Sequence, residues 1–239
     1  WKYMQELRNE GYDIVAVPHL GYRLLSCPDK LLPAEIQTGL GTKILGKNIK
    51  YFDSNGSTMD EAFQLGLKEA PEGTVVGTES QSKGKGRLGR SWVSPKGKGI
   101  YMSVILRPRL APVDVAQLTL LSAVAVCESI GKVCPVKAKI KWPNDILVNN
   151  KKIAGILTEM SAEMDRVRFV VIGIGVNVNT SISYLPPHAT SIKNETGQKS
   201  SRVELVQEIL RSLERWYATL SEHGFAPVIA QWKKLSSTL

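Results

Sequence analysis

Cysteine and histidine are both scarce in this 239-residue sequence, with three of each. Cys27, Cys127 and Cys134 are odd in number, sit in apolar neighbourhoods and show no C-x-x-C spacing, so neither a disulfide framework nor a zinc site is indicated. His19, His188 and His223 share no metal-like spacing. Long hydrophobic runs are missing as well. Phe169 to Val178 and Leu118 to Cys127 fall well short of the roughly 20 apolar residues that span a bilayer, and no secretory segment is recognised. A cytoplasmic chain with no membrane partner is therefore expected. There is no G-x-S-x-G and no cysteine beside plausible partners, which argues against a catalytic triad. Internal repeats and low-complexity stretches are also lacking. With 43% hydrophobic and 22% charged residues, the chain nonetheless has ample material for a folded core.

The charge is uneven. The net +9 is concentrated in two short segments. Gln81 to Lys98 carries Lys83, Lys85, Arg87, Arg90, Lys96 and Lys98 with no acid, and Lys137 to Lys152 carries five lysines against Asp145 alone, leaving the rest of the chain at −1. A nucleic-acid binder spreads cations along a face or helix, whereas two local concentrations read as a pocket for a small anion.

Along the chain, Trp1 to Asn9 has helical apolar spacing, with Gly11 placed to end the helix. Ile14 to Val17 and Tyr22 to Leu25 read as a hairpin about Pro18 to Gly21. Helix and hairpin together are either the back half of a winged helix-turn-helix or a small packing appendage. Lys2, Arg8 and Arg23 are balanced there by Glu6, Glu10 and Asp13, so no phosphate-binding surplus exists. A linker-like stretch, Cys27 to Lys30 and Leu31 to Leu40, leads to the main domain, giving a division into residues 1–30 and 31–239. Ser57 or Thr58 is predicted to cap a helix through Lys68, with Asp60 and Glu61 in its first turn as in a capping box. Thr74 to Thr78 and Gly99 to Leu106 read as strands flanking the basic loop, and Val113 to Ile130 as a buried helix. Lys137 to Lys141, Ile146 to Asn149, Ile153 to Glu159 and Arg168 to Asn177 read as further strands. Arg202 to Leu220 and Ala226 to Leu235 read as helices. An α/β (α+β) fold, a mixed sheet flanked by helices, follows.

Three segments could carry chemistry. Gly84 to Gly89 matches G-x-G-x-x-G, but the continuation through Pro95 cannot be the helix that a dinucleotide site requires, and no G-K-[ST] follows as in a Walker loop. What remains is a glycine-cation loop, expected to be floppy when empty and to wrap an anion, with Trp92 as its apolar anchor. Lys141-Trp142-Pro143-Asn144-Asp145 puts a cation, an amide and a carboxylate at a strand end, and a hairpin should bring Lys152 near Asp145. Gly173 and Gly175 lie inside a buried strand, where glycine marks close approach by a ligand or another backbone; Asn177 beyond them is either a ligand contact or a turn residue.

These segments resemble the biotin protein ligases, specifically the bifunctional kind that also represses biotin genes. GKGRLGRSW is similar to that family's glycine-arginine loop, KWPNDILVNNKKIAGILTE matches over its whole length, and GIGVNVN follows in order. The resemblance implies a catalytic domain of the class II aminoacyl-tRNA synthetase-like type, preceded by a partial winged helix-turn-helix and lacking an SH3-like C-terminal domain. It implies that biotin and MgATP form biotinyl-5′-AMP, and that the biotinyl group passes to a lysine of a biotin carboxyl carrier protein. Ser57, Thr58, Met59, Gln81, Lys85, Gly86, Arg87 and Lys152 would contact biotin. Gly84, Arg90, Trp92, Lys141, Asn144 and Asn177 would hold the adenylate, and Arg87, Lys141, Asp145 and Lys152 would be catalytic, with Asp145 the base. Mg²⁺ would come with ATP, near Asn144 and Asn177, without a protein cage. A homodimer and operator DNA in the full-length protein are further implied. Two departures stand out: Lys85 replaces the usual Arg, exchanging a bidentate fork for a point charge, and Met59 replaces a polar residue, leaving its backbone as the expected contact.

Overall fold

The computed structural model describes residues 1–237 and divides into two units, Trp1–Lys30 and Leu31–Leu239. In the first, helix α1 (Lys2–Glu10) ends on Gly11 in the left-handed region, at φ 104°. The Arg8 guanidinium donates to the Ile14 carbonyl at 2.8 Å and 3.0 Å, tying the helix to strand β1 (Asp13–Val17). β1 pairs antiparallel with β2 (Gly21–Ser26), whose residues are all exposed. Ile14 is the one buried hydrophobic residue of this unit.

The second unit is built on a seven-stranded sheet in the order β3 (Ile49–Phe52), β4 (Val75–Thr78), β5 (Gly99–Leu106), β9 (Val167–Asn177), β8 (Lys151–Ala162), β7 (Asp145–Val148), β6 (Lys139–Lys141). β3 and β4 are parallel and every other pairing is antiparallel. Side chains alternate between the two faces, interrupted at a bulge in β8 where Ile153 and Ala154 both join the larger core. Val104, Leu106, Val170 and Ile172 point to the larger core, where α4 (Ala116–Val133), α6 (Arg202–His223) and α7 (Ala226–Leu235) pack. Ile105, Phe169 and Val171 point to the other side, where α3 (Thr58–Leu67) lies.

α4 with its preceding turn, Pro112–Val133, is long and apolar enough to cross a membrane by composition, but its apolar side chains serve the core. Its two serine hydroxyls are satisfied within the helix: Ser122 donates to Leu118 O and Ser129 to Ala125 O, both at 2.7 Å. On the same helix Glu128 accepts from Arg215, the Trp216 indole and Gln231 at 2.7–2.9 Å, fastening α6 and α7.

Most predicted elements are present, with four differences. The stretch Leu31 to Leu40, read as linker, contains α2 (Pro33–Gln37), and Leu31, Ile36 and Leu40 are core residues. The predicted helix at Val113 begins instead at Ala116, because Pro112–Asp114 makes a separate tight turn that leaves Val113 exposed. β3 and the short α5 (Ile192–Thr196) were not foreseen. β8 continues to Ala162, beyond the expected end at Glu159. The turn between β7 and β8, expected over Asn149-Asn150-Lys151, is the pair Asn149-Asn150, with φ of 50° and 62°, the signature of a two-residue hairpin loop; Lys151 already belongs to β8.

Gly66 of α3 sits on the Phe169 ring, so closely that a Cβ there would lie 2.4 Å from a ring carbon. Phe63 meets the same ring edge-on at 5.1 Å between centroids. Phe169→Ala should therefore cost about 3–5 kcal/mol in denaturant unfolding, and Gly66→Ala about 1–3 kcal/mol by overpacking. Equal stability of either variant to the parent would show that α3 is not seated on this ring.

Candidate active site

The sheet face beneath α3 is paved with glycine where it leaves the helix. Register places Thr78, Tyr101, Gly175, Gly155, Asp145 and Lys141 in one lateral row, one residue from each successive strand. The next row holds Ser103, Gly173 and Leu157. The missing side chains are replaced by groups from elsewhere. A Cβ on Gly173 would lie 2.4 Å from Met59 Sδ; one on Gly175 would lie 2.6 Å from the Trp92 ring and one on Gly155 3.1 Å from it. The glycines thus admit two side chains, where the sequence suggested a ligand or another backbone. Met59 presents its side chain, not only its backbone, to the site.

Above this floor lies a cavity of about 460 Å³. One wall is the basic loop. Expected to be unstructured when empty, it is instead a small hairpin: Gly86 N–H donates to Arg90 O at 2.7 Å and Trp92 N–H to Gly84 O at 2.8 Å. Leu88, at φ 56° and largely exposed, and Gly89, at φ 74°, form its tip. No helix follows, in keeping with the rejection of a dinucleotide fingerprint.

Of the residues singled out from sequence, Thr58, Met59, Gln81, Lys85, Gly86, Arg87, Arg90, Trp92, Asn144, Asp145, Lys152 and Asn177 all line this cavity. Ser57, Gly84 and Lys141 do not. Lys141 lies on the outermost strand of the row, exposed, so a contact with bound phosphate or a catalytic role has no support in its position. Gly84 is a hinge of the loop hairpin: a Cβ there would fall 2.4 Å from Trp92 O. The charge surplus is correspondingly narrower than its segments suggested. Lys83, Lys96 and Lys98 of the loop are outside the cavity, Lys96 pairing with Asp53 at 2.5 Å. Lys152 is the only one of the second segment's five lysines that lines it. Four cations, Lys85, Arg87, Arg90 and Lys152, face one acid, Asp145.

The capping of α3 also differs. Ser57 makes no side-chain cap, and its buried hydroxyl has no partner among the described residues. Gln81 Oε1 takes its place, accepting from Thr58 N–H at 2.9 Å and Thr58 Oγ1 at 3.2 Å, while its amide donates to Ser94 at 3.0 Å. The first-turn acids serve cations: Glu61 pairs with Lys50 at 2.6 Å, and Asp60 with Lys85. Glu159 is 3.9 Å from the same Lys85, whose ammonium is held above the ordinary lysine range, chiefly by its hydrogen bond to Asp60.

Asp145 and Lys152 meet at 2.7 Å, as the hairpin predicted, and the Lys152 ammonium lies 5.4 Å from the centre of the Trp92 ring. Arg87 Nη1 donates to Asn144 Oδ1 at 3.0 Å, and Asn144 Nδ2 to Ile156 O at 2.8 Å. Asn177 Nδ2 donates to Thr190 O at 3.0 Å. Among the described residues no three His, Cys, Asp or Glu side chains form a metal cluster. Sequence reasoning missed Tyr101 and the Leu185 to Ala189 wall, which carry no motif, and Asp60 and Glu159 as partners of Lys85. Asp60 was visible only as a helix-start acid.

Residues 51–177 match the model of the biotin/lipoate A/B protein ligase family. The chain belongs to that family. Among its relatives, the bifunctional ligase/repressor BirA of Bacillus subtilis is 46% identical over 237 residues, covering 98% of this chain and 73% of the relative. A biotin ligase of acetyl-CoA carboxylase from Paracoccus denitrificans is 37% identical over 183 residues, 74% of this chain and 75% of its own. Among solved structures, the Aquifex aeolicus biotin protein ligase in complex with biotin and ATP superimposes with a TM-score of 0.70 at 28% identity, over 81% of this chain and 80% of that one. The Leishmania major ligase with biotinyl-5-AMP gives 0.67 at 26%, over 80% and 82%. The family's mixed sheet flanked by helices is the fold found here, as expected from the alternation of strands and helices.

In this family member the seat of Trp92 is testable without any ligand. Gly175→Ala should push the indole off the sheet, shift its fluorescence to longer wavelength and cost about 1–3 kcal/mol in stability. The same substitution in a Trp92→Phe background supplies the reference. An unshifted spectrum would show that Gly175 does not determine where the ring lies.

Proposed function

We propose that the protein is a biotin protein ligase, joining biotin to a lysine of a biotin carboxyl carrier protein at the expense of ATP. The observation that carries this reading is the pairing of a glycine-paved, apolar slot with four converging cations. Such a cavity suits an acid with an apolar body whose carboxylate must be brought against a phosphate. The family membership and the biotin- and ATP-bound relatives support the same reading.

In the first step a biotin carboxylate oxygen attacks the α-phosphorus of ATP and pyrophosphate leaves. Two anions have to approach, so Arg87, Arg90 and Lys152 lower their repulsion and stabilise the charge at the phosphorus. Thr58, at the cavity wall, offers its hydroxyl to the polar end of biotin. Gln81 contributes through its support of α3. In the second step the carrier amine attacks the acyl carbon and AMP leaves, with Asp145 accepting the amine proton. When bound, Mg²⁺ would offset phosphate charge. The oxygen donors lining the cavity, Asp145, Asn144 and Asn177, suit a metal carried in largely by the nucleotide.

A second reading concerns Trp1–Lys30, whose helix and hairpin, together with the ligase/repressor names of relatives, favour the end of a winged DNA-binding domain in the full-length protein. Residues 1–30 supply one helix and a hairpin but not the leading helices that a helix-turn-helix needs, so a polypeptide of these 239 residues alone is expected to show no operator selectivity in a filter-binding titration. A homodimer and a cytoplasmic location belong to the same proposal.

Lys152→Ala should reduce biotin-dependent pyrophosphate exchange by about 100-fold or more. Undiminished exchange would remove Lys152 from the reaction. Calorimetry should give heat with biotin and none with lipoate; the reverse would make this a lipoate ligase.

A further inference from the structure

One buried ion pair lies outside the cavity and has no part in the steps above. Arg202, the first residue of α6, meets Glu79 with Nη1 to Oε2 at 2.6 Å, and the two side chains are 2% and 4% exposed. Removing such a pair from water costs more than its attraction reliably returns, so stability alone is a poor account of it. Its position suggests another. Glu79 directly follows β4, where the basic loop departs, and Gly99 opens β5, where the loop returns. Arg202 Nη1 also donates to Gly99 O at 3.2 Å, and Gly97 N–H donates to Glu79 O at 3.0 Å. The pair therefore joins both roots of the loop to each other and to the large helix. The returning root is held further by Tyr101 Oη on Pro95 O at 3.1 Å and by Asn179 N–H on Lys98 O at 2.6 Å. Between the roots the loop is acid-free and self-repelling: its lysines pair with exposed acids such as Asp60 and Asp53, and its inward anchors are Trp92 on the sheet and Arg87 on Asn144.

We infer that Glu79 and Arg202 are a positioning pair for ligation: they set the spacing and direction of the loop roots, so that Arg87 and Arg90 arrive over the cavity. Neither residue touches substrate. The inference rests on the ligase reading for its kinetic consequence, but not for its structural one.

The test compares the parent with the double variant Glu79→Leu/Arg202→Met, which replaces the pair by apolar groups; because Leu31 N–H loses its 2.8 Å bond to Glu79 Oε1, a modest fall in melting temperature with unfolding still cooperative is expected. A pair that served stability alone would leave function intact in that variant. As a positioning pair, its loss should raise KM for biotin and the dissociation rate of the bound adenylate by about tenfold or more, with a smaller change in kcat. Trypsin should also cut the free protein faster between Lys83 and Arg90. Parent-like KM, adenylate retention and trypsin resistance in a stably folded double variant would overturn the inference. Tyr101→Phe removes one bond from the same root and exposes no buried charge, so it stands in if the double variant does not fold. It should move the same three readouts in the same direction, and no movement would count equally against the proposal. A parent without pyrophosphate exchange would sink the ligase reading, leaving the trypsin comparison to decide the role of the pair.

Discussion

The site depends on a place where two neighbouring strands carry almost nothing. Gly155 and Gly175 face each other across β8 and β9, and the Trp92 indole occupies the volume their side chains would have filled. A strand interior loses stability at every glycine, and two paired glycines leave the sheet weak at the floor of the cavity. The indole returns apolar contact to that gap. Because Trp92 belongs to the basic loop, its docking fixes the loop over the sheet. It also forms the surface beside which the Lys152 ammonium sits. Gly173 works the same way for Met59, seating the start of α3. Loop, helix and lysine are thus all referred to one bare patch.

The charges are organised around the same patch. A loop with six cations and no acid resists its own folding, and three of the cations find different compromises. Lys96 is drawn outward by Asp53, and Lys85 is shared between Asp60 and Glu159. Arg87 spends one donor on the Asn144 amide, which is locked in turn by Ile156 O. An amide has no charge to neutralise the guanidinium, so Arg87 is oriented while its charge stays available. A neutral partner suits a cation meant for an incoming anion, whereas an acid partner competes with that anion.

The strands rich in Val and Ile were legible because burial on both faces leaves few other compositions, and the Asn149-Asn150 turn because positive φ selects its residues. β3, α2 and α5 were not: each has four or five residues, too few for a period to show against their charged neighbours. The α3 cap was misread for a physical reason. Ser57 had the right residue type, but Gln81, 23 residues on from Thr58, reaches the Thr58 N–H with the help of a backbone bridge between Asn55 and Gln81 that local pattern cannot reveal. The position of Lys141 failed differently. Alternation put it on the correct face, and only the strand order shows that its strand is the outermost one. Tyr101 was hidden because a buried aromatic in a strand has the same local appearance whether it packs in a core or floors a cavity.

The Asp145–Lys152 pair shows how one contact can serve two successive steps of the proposed reaction. In the free protein Lys152 is held by a 2.7 Å ion pair and by the face of Trp92, so it is already in place when a carboxylate arrives. An arriving anion with two or more charges competes directly with the single carboxylate of Asp145 for the ammonium. Once Lys152 turns to the phosphate, the Asp145 carboxylate is left without its 2.7 Å ion-pair partner. Formation of the mixed anhydride would therefore release the group required to accept the proton of the attacking amine. The order of the steps would follow from electrostatics alone, with no movement larger than the rotation of one lysine side chain.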